Sequence, residues 1–240
     1  MGGIDGRAVN EGTGPGVITP DGCAVELYAL LPPGPEPEIV HAAAGSAQAS
    51  ILELGAGTGR MTEALAALGH PVVAVDESPD MLARIRHAET VRAGIQDLAL
   101  GRPFDVVLLA SFLINTPSEA TRAAFLAACA RHVSDTGCVI IQQHPPAWFT
   151  SVTAQENESD GIAFRLRDLS RPEPGLLSAT AEYQAGARIW THSFTAQRLD
   201  EEDLRSALAA AGLALDRYLT DDREWLRART GVELPGQGLT

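Results

Sequence analysis

A glycine-rich turn with an acidic residue before it and another after it is the part of the sequence best suited to chemistry. Residues 53–59 read Glu-Leu-Gly-Ala-Gly-Thr-Gly, and Asp76 ends the next apolar run. Glycines let the backbone turn tightly and approach a ligand closely. A carboxylate at the end of the following strand can accept both hydroxyls of a ribose. The pattern therefore predicts a cofactor that contains a nucleoside.

The spacing of the glycines indicates which kind of nucleoside cofactor this is. The dinucleotide fingerprint requires a glycine or alanine where this chain has Arg60, and the third glycine is Gly59 instead. The carboxylate of Glu53 would lie badly beside a pyrophosphate, whereas it could help to hold an α-amino group. Both features favour a cofactor with an amino-acid tail over NAD(P).

Strands and helices alternate from residue 50 onward, which predicts a doubly wound, Rossmann-like parallel sheet. Ligands of such sheets bind beyond the carboxyl ends of the strands. The alternation therefore brings four segments around one cleft, namely residues 53–59, 76–78, 96–97 and 110–115. The predicted strands are 51–54, 72–76, 91–95, 104–110 and 139–143. The predicted helices begin at residues 60, 78 and 116, the last with Thr116–Glu119 as a capping box and Pro117 in its first turn.

These motifs, in this order, resemble the class I S-adenosylmethionine-dependent methyltransferases over about residues 50–143. The resemblance implies that the glycine turn contacts the methionine moiety, that Asp76 binds the ribose, and that Asp97 accepts from the adenine amino group. Glu77 stands where many members place an apolar residue against adenine. The full set of residues implied to bind S-adenosylmethionine, or its product S-adenosylhomocysteine, is Tyr28, Glu53, Gly55, Ala56, Gly57, Gly59, Asp76, Glu77, Met81, Gln96, Asp97 and Ala110.

The alternation stops after residue 147, and this defines the predicted organisation of the chain. Residues 1–20 are rich in glycine and are predicted to be a flexible arm, and residues 21–147 are the cofactor-binding core. Residues 148–199 contain β-branched and aromatic runs at 162–166, 178–183 and 189–194, which predict an antiparallel insertion. It resembles the lid of small-molecule methyltransferases and would serve as a lid or as a homodimer surface. Residues 200–240 complete the core with a helix and a β-hairpin.

Candidates for contact with the methyl acceptor lie near the cleft. His144 follows the fifth strand and precedes two prolines, so it is a candidate base or acceptor contact. Asn115 follows the fourth strand and is a candidate acceptor contact. His192, in the insertion, is a further candidate. Methylation mainly requires alignment and desolvation of the reactants, and a base only where the acceptor carries a proton at the moment of attack.

Composition narrows the classes of partner. The net charge of −13 disfavours nucleic acid and membrane surfaces, and Cys23, Cys129 and Cys138 lack metal-ligand spacing. No signal pattern or membrane span is apparent in the sequence, so a cytoplasmic protein is expected. The prediction is transfer of a methyl group to N or O of a small metabolite, as in antibiotic pathways. An NAD(P)-dependent oxidoreductase and a non-catalytic S-adenosylmethionine-binding protein remain alternatives.

Overall fold

The computed structural model describes residues 10–231 as two sheets with seven helices. The strands are β1 (Glu11–Thr13), β2 (Ile51–Leu54), β3 (Val72–Asp76), β4 (Glu89–Arg92), β5 (Phe104–Leu109), β6 (Val133–Gln142), β7 (Gln155–Ser159), β8 (Ile162–Ser170), β9 (Leu176–Ala185), β10 (Arg188–Gln197), β11 (Leu213–Tyr218) and β12 (Trp225–Thr230). The helices are α1 (Val25–Tyr28), α2 (Glu36–Ala44), α3 (Arg60–Ala67), α4 (Pro79–Leu82), α5 (Glu119–His132), α6 (Trp148–Ser151) and α7 (Glu201–Ala210), with 3-10 turns at Ile95–Asp97 and Leu113–Asn115.

The larger sheet has the strand order β11-β12-β6-β5-β2-β3-β4, in which β2 to β6 are parallel and the terminal hairpin is antiparallel. Its central strand β5 is buried on both faces. Val107 and Leu109 pack into one apolar cluster, and Val106 and Leu108 pack into another. Burial on both faces is typical of parallel sheets covered by helices. The predicted doubly wound fold is confirmed.

The second sheet is antiparallel, with the strand order β1-β10-β9-β8-β7. One face packs Leu166, Leu177 and Ala196 against α6. The other face carries pairs of hydroxyls across the strands, such as Ser178 with Thr195 at 2.8 Å. This alternation is that of a sheet with one buried and one solvent-facing side. The insertion thus contains four strands, β7 to β10, whereas three were predicted.

The N-terminal segment differs from its prediction. β1 pairs with β10 in the second sheet, and the indole N–H of Trp190 donates to the carbonyl of Pro15 at 2.9 Å. The prediction of a flexible arm is therefore wrong for residues 10–20, while residues 1–9 lie outside the described residues. A three-residue strand beside glycines carries no periodicity, so its pairing depends on a partner about 180 residues away.

Several element boundaries also differ. α5 begins after Ser118, whose side chain accepts from the N–H of Thr121, so Pro117 precedes the cap and the predicted capping box at Thr116 is wrong. β6 begins at Val133 and runs through Gly137. The strand predicted over 91–95 is β4, and Ile95 instead begins a 3-10 turn. The final helix and hairpin form as predicted, and residues 232–240 lie outside the described range.

Candidate cofactor and acceptor site

The glycine turn lies between the end of β2 and the start of α3. Gly57 has φ +55° and Gly59 has φ +85°, a left-handed backbone that favours glycine. A Cβ at Gly59 would lie 2.6 Å from Cγ1 of Ile85, so this glycine permits close packing. A Cβ at Gly57 would meet nothing within 4 Å. The backbone at Gly57 therefore borders open space, as a ligand-contacting turn requires.

Asp76 joins this turn to the end of β3. Its Oδ2 accepts from the N–H of Gly57 at 2.9 Å, and its Oδ1 accepts from the N–H of Ser78 at 2.9 Å. Burial, with a smaller effect of Asp21 nearby, raises the pKa of this half-buried carboxyl. The parallel register places Leu54 opposite Val75, so Asp76 borders the turn at one edge of the sheet.

Glu53 lies deeper, on β2, and is 3% exposed. The hydroxyl of Thr62 donates to its Oε2 at 2.5 Å. Burial raises the pKa of Glu53 to about 7, against the partial counter-effect of that hydrogen bond. A carboxyl with such a pKa changes charge near neutral pH, which suits a group that meets a cationic amine.

The other residues predicted to bind the cofactor lie on the elements around the same edge. Ala56 and Met81 are buried, whereas Glu77, Gln96 and Asp97 are exposed. Tyr28 lies on α1, and its oxygen accepts from the thiol of Cys23 at 3.6 Å. The carbonyl of Ala110 accepts from the N–H of Leu113 at 3.3 Å, so one of its two lone pairs is used within the protein.

The strand next to β2, β5, ends in an unusual corner. Ser111 and Phe112 have φ +54° and +58°, values that residues other than glycine adopt at a cost. The Phe112 ring stacks on the imidazole of His144 with ring centroids 3.9 Å apart, and Trp148 stacks on that imidazole at 4.0 Å. Phe149 and Phe194 lie within 6.4 Å of the same ring. We call these five residues, Phe112, His144, Trp148, Phe149 and Phe194, the aromatic cluster.

His144 is held in an apolar environment. Burial lowers its pKa to about 4, so the imidazole is neutral at pH 7. A base whose conjugate acid has so low a pKa accepts protons poorly at neutral pH. This low pKa disfavours action of His144 as a base, and its contact with an acceptor stays a prediction.

Asn115 has a different role from the predicted acceptor contact. Its side chain is 2% exposed. Its Nδ2 donates to the carbonyl of Gln197 at 2.9 Å, and its Oδ1 accepts from the N–H of His144 at 2.8 Å. Both ends of the amide are engaged by backbone groups, so Asn115 joins protein segments and the predicted contact is corrected.

Sequence reasoning missed Gln142, the last residue of β6. It is 4% exposed, its Oε1 accepts from the N–H of Ser111 at 2.9 Å, and its Nε2 donates to Oε1 of Glu224 at 2.7 Å. One signal for it was present in the sequence, because Gln142 and Gln143 follow an otherwise apolar strand. Buried polar side chains require hydrogen-bond partners, so such a pair indicates a structural contact.

His192 lies on β10 and connects the second sheet to the N-terminal segment. Its Nε2 donates to the carbonyl of Asp21 at 3.2 Å, and burial lowers its pKa. Its ring lies 6.1 Å from that of Phe194, at the border of the aromatic cluster.

Among residues 10–231, no group of three or more His, Cys, Asp and Glu side chains could hold a metal ion. No helix in that range is long and apolar enough to cross a membrane.

Comparison with known proteins relates this chain to methyltransferases. A family model described as a methyltransferase domain matches residues 51–137. The cypemycin N-terminal methyltransferase of a Streptomyces species is 37% identical over 109 residues, which are 42% of this chain and 44% of that protein. The match thus spans less than half the length of this relative.

Solved structures show the same fold over most of the chain. The CcbJ methyltransferase from Streptomyces caelestis superposes with a TM-score of 0.69 at 22% identity, covering 84% of this chain and 98% of that one. CalS10 from Micromonospora echinaspora, an amino pentose methyltransferase solved with S-adenosylmethionine bound, gives 0.63 at 21% identity, covering 87% and 92%. The chain thus has the fold of these S-adenosylmethionine-dependent methyltransferases, and residues 51–137 match the methyltransferase domain.

Proposed function

We propose that this protein transfers a methyl group from S-adenosylmethionine to an amine nitrogen of a small metabolite in secondary metabolism. One observation carries the proposal: the open glycine turn at Gly57 and Asp76 lie at one edge of the sheet, and an apolar aromatic cluster stands beyond the next strand ends. The relatives described above favour it, since one is an N-terminal methyltransferase and another an amino pentose methyltransferase.

The residues of the turn fit the cofactor. The space beside Gly57 leaves its backbone free to approach a ligand. Asp76 keeps acceptor capacity beyond its two backbone bonds, because each carboxylate oxygen can accept more than one hydrogen bond. Glu53 would meet the amino group of the methionine tail. When bound, S-adenosylmethionine supplies the electrophilic methyl group.

The aromatic cluster indicates the chemistry of the acceptor. An amine attacks only in its neutral form, and a site without water disfavours the ammonium form. His144 is stacked between the rings of Phe112 and Trp148, and its burial there lowers its pKa. A hydroxyl acceptor would instead need a base, a role for which His144 is poorly suited. The cluster therefore serves to exclude water and to keep the amine lone pair free, and the resulting ammonium loses its proton after transfer.

The test is an assay of methyl transfer with matched acceptors. S-adenosylmethionine is supplied with an aminodeoxyhexose or with the corresponding hexose, and methylated products are measured by mass spectrometry. We expect an N-methyl product from the amine and none from the alcohol. Equal methylation of the alcohol would contradict the nitrogen assignment. Tight NAD binding in calorimetry, without binding of S-adenosylhomocysteine, would contradict the whole proposal, and binding without transfer to any amine would favour the non-catalytic alternative.

Two glycines provide a matched pair of variants for this assay. Gly57→Val places a branched side chain at φ +55° where a ligand would approach, and it should abolish cofactor binding. Gly101→Val introduces the same side chain at φ +68°, again with nothing within 4 Å, but in an exposed loop before β5. The second variant therefore controls for backbone strain alone and should retain binding.

A further inference from the structure

Two buried amides connect the corner after β5 to the end of β6 in opposite directions. Gln142, on β6, accepts from the N–H of Ser111 in the corner at 2.9 Å. Asn115, in the turn that follows the corner, accepts from the N–H of His144 at 2.8 Å. The segments that follow β5 and end β6 thus each provide one side-chain amide that accepts a hydrogen bond from the backbone of the other. The two links fix Ser111 and His144 relative to each other.

The corner that these links hold is strained. Ser111 and Phe112 both have a left-handed backbone, which non-glycine residues keep only when the surroundings determine it. That backbone accompanies the parallel stacking of Phe112 on His144, where the ring planes differ by 3°. Loss of a link would let the corner relax and would separate the two rings.

Each amide also makes a second bond to an antiparallel part of the molecule. Nε2 of Gln142 donates to Glu224, which lies just before β12, and the N–H of Gln143 donates to the carbonyl of the same glutamate at 2.8 Å. Nδ2 of Asn115 donates to Gln197 at the end of β10. The terminal hairpin and the second sheet are therefore both attached to the corner that carries the aromatic cluster.

We propose that Asn115 and Gln142 are positioning residues of the acceptor site, which hold Phe112, His144 and Trp148 in a stack and set its place relative to the hairpin and the second sheet. The catalytic consequence rests on the proposed function, whereas the geometric consequence does not. Neither residue contacts the reacting atoms. They act through the rings that border the acceptor.

Gln142→Met tests the links because it keeps the length of the side chain and removes its hydrogen bonds. NMR titration of His144 reads the geometry without any acceptor. In the wild type the imidazole should stay neutral between pH 5 and 8, and in the variant its pKa should rise toward the ordinary value as water enters. Turnover should fall about tenfold to a hundredfold, because misplaced reactants react slowly. The affinity for S-adenosylhomocysteine should fall by less than turnover does, since the glycine turn is untouched and only the predicted contact at Ala110 adjoins the corner. Gln155→Met, at an exposed glutamine of β7, is the matched control.

A charge exchange separates positioning from general stability. Gln142→Glu alone sets two carboxylates against each other and should raise the His144 pKa. Gln142→Glu combined with Glu224→Gln restores a donor to an acceptor and should return the titration to that of the wild type. The inference is overturned if His144 titrates identically in the wild type and in Gln142→Met, or if the single and double exchanges behave alike. A shifted titration supports it even where no amine is methylated, in which case the proposed function alone has failed.

Discussion

The two ends of the cleft, the glycine turn with Asp76 and the aromatic cluster, are lined by different kinds of groups. At the end proposed to bind the cofactor, the glycine turn and the Asp76 carboxylate border open space beside Gly57. At the end proposed to bind the acceptor, a half-buried histidine is stacked between two aromatic rings, and buried amides bond to the backbone beside it. Polar groups in fixed positions select a polar ligand through specific hydrogen bonds. Stacked rings exclude water and can contact ligands of different shapes. In the proposed function, the first end binds the methyl donor and the second determines the protonation state in which the acceptor reacts.

The largest effect is expected on cofactor affinity, when the carboxylate beside the glycine turn is removed. Asp76→Ala should raise the Kd for S-adenosylhomocysteine about 100-fold, roughly 3 kcal/mol, because a charged acceptor of ribose hydroxyls is lost together with two backbone links. Calorimetry measures the affinity, and NMR titration of His144 should show no change at the aromatic end. Asp80→Ala removes the same charge at an exposed position of α4 and should bind normally. An affinity within threefold of the wild type would refute the ribose assignment.

A smaller effect is expected from altering the aromatic end. His144→Phe keeps a ring between Phe112 and Trp148 and removes the nitrogens, so turnover at pH 7.5 should stay within about threefold if His144 is a wall rather than a base. A loss of more than about 100-fold would show that the imidazole takes or positions a proton. His87→Phe, at an exposed histidine, is the control for the change of residue type.

The His144→Phe variant should also change how the free energy of unfolding depends on pH. The folded-state pKa of His144, about 4, lies below its ordinary value of 6.5. Its contribution to stability is therefore present above pH 6.5 and is lost as pH falls toward 4, because the unfolded chain binds the proton more readily. Over that window the free energy of unfolding of the wild type should decline by roughly 2–3 kcal/mol more than that of His144→Phe. Denaturant titrations at matched pH values measure the difference.

The two ends also differ in how far the sequence predicts them. The bond from Gly57 to Asp76 spans 19 positions within one strand-helix-strand unit. Spacing therefore predicted that Asp76 lies beside the glycine turn, although it did not predict this bond. The bonds of Asn115 to Gln197 and of Gln142 to Glu224 each span 82 positions. The first reaches the second sheet, and the second joins the ends of neighbouring strands in the larger sheet. No local periodicity records such a bond, which explains why Asn115 was assigned to the acceptor and Gln142 was missed. The pairing of β1 with β10 escaped prediction for the same reason.

The smallest expected effect is a fraction of a proton at the cofactor end. Burial raises the folded-state pKa of Glu53 to about 7 from an ordinary 4.5, so its protonated form contributes stability below pH 4.5 that is lost as pH rises through 7. A cationic amino group bound beside it would favour the carboxylate, and S-adenosylhomocysteine should therefore release about half a proton from Glu53 at pH 7. Calorimetry in two buffers of different ionisation enthalpy counts the proton. Glu53→Gln keeps a hydrogen-bond acceptor for Thr62 and should release none. Equal proton release from both proteins would place the amino group away from Glu53, and the division of the cleft into a charged end and an apolar end would then rest on Asp76 alone.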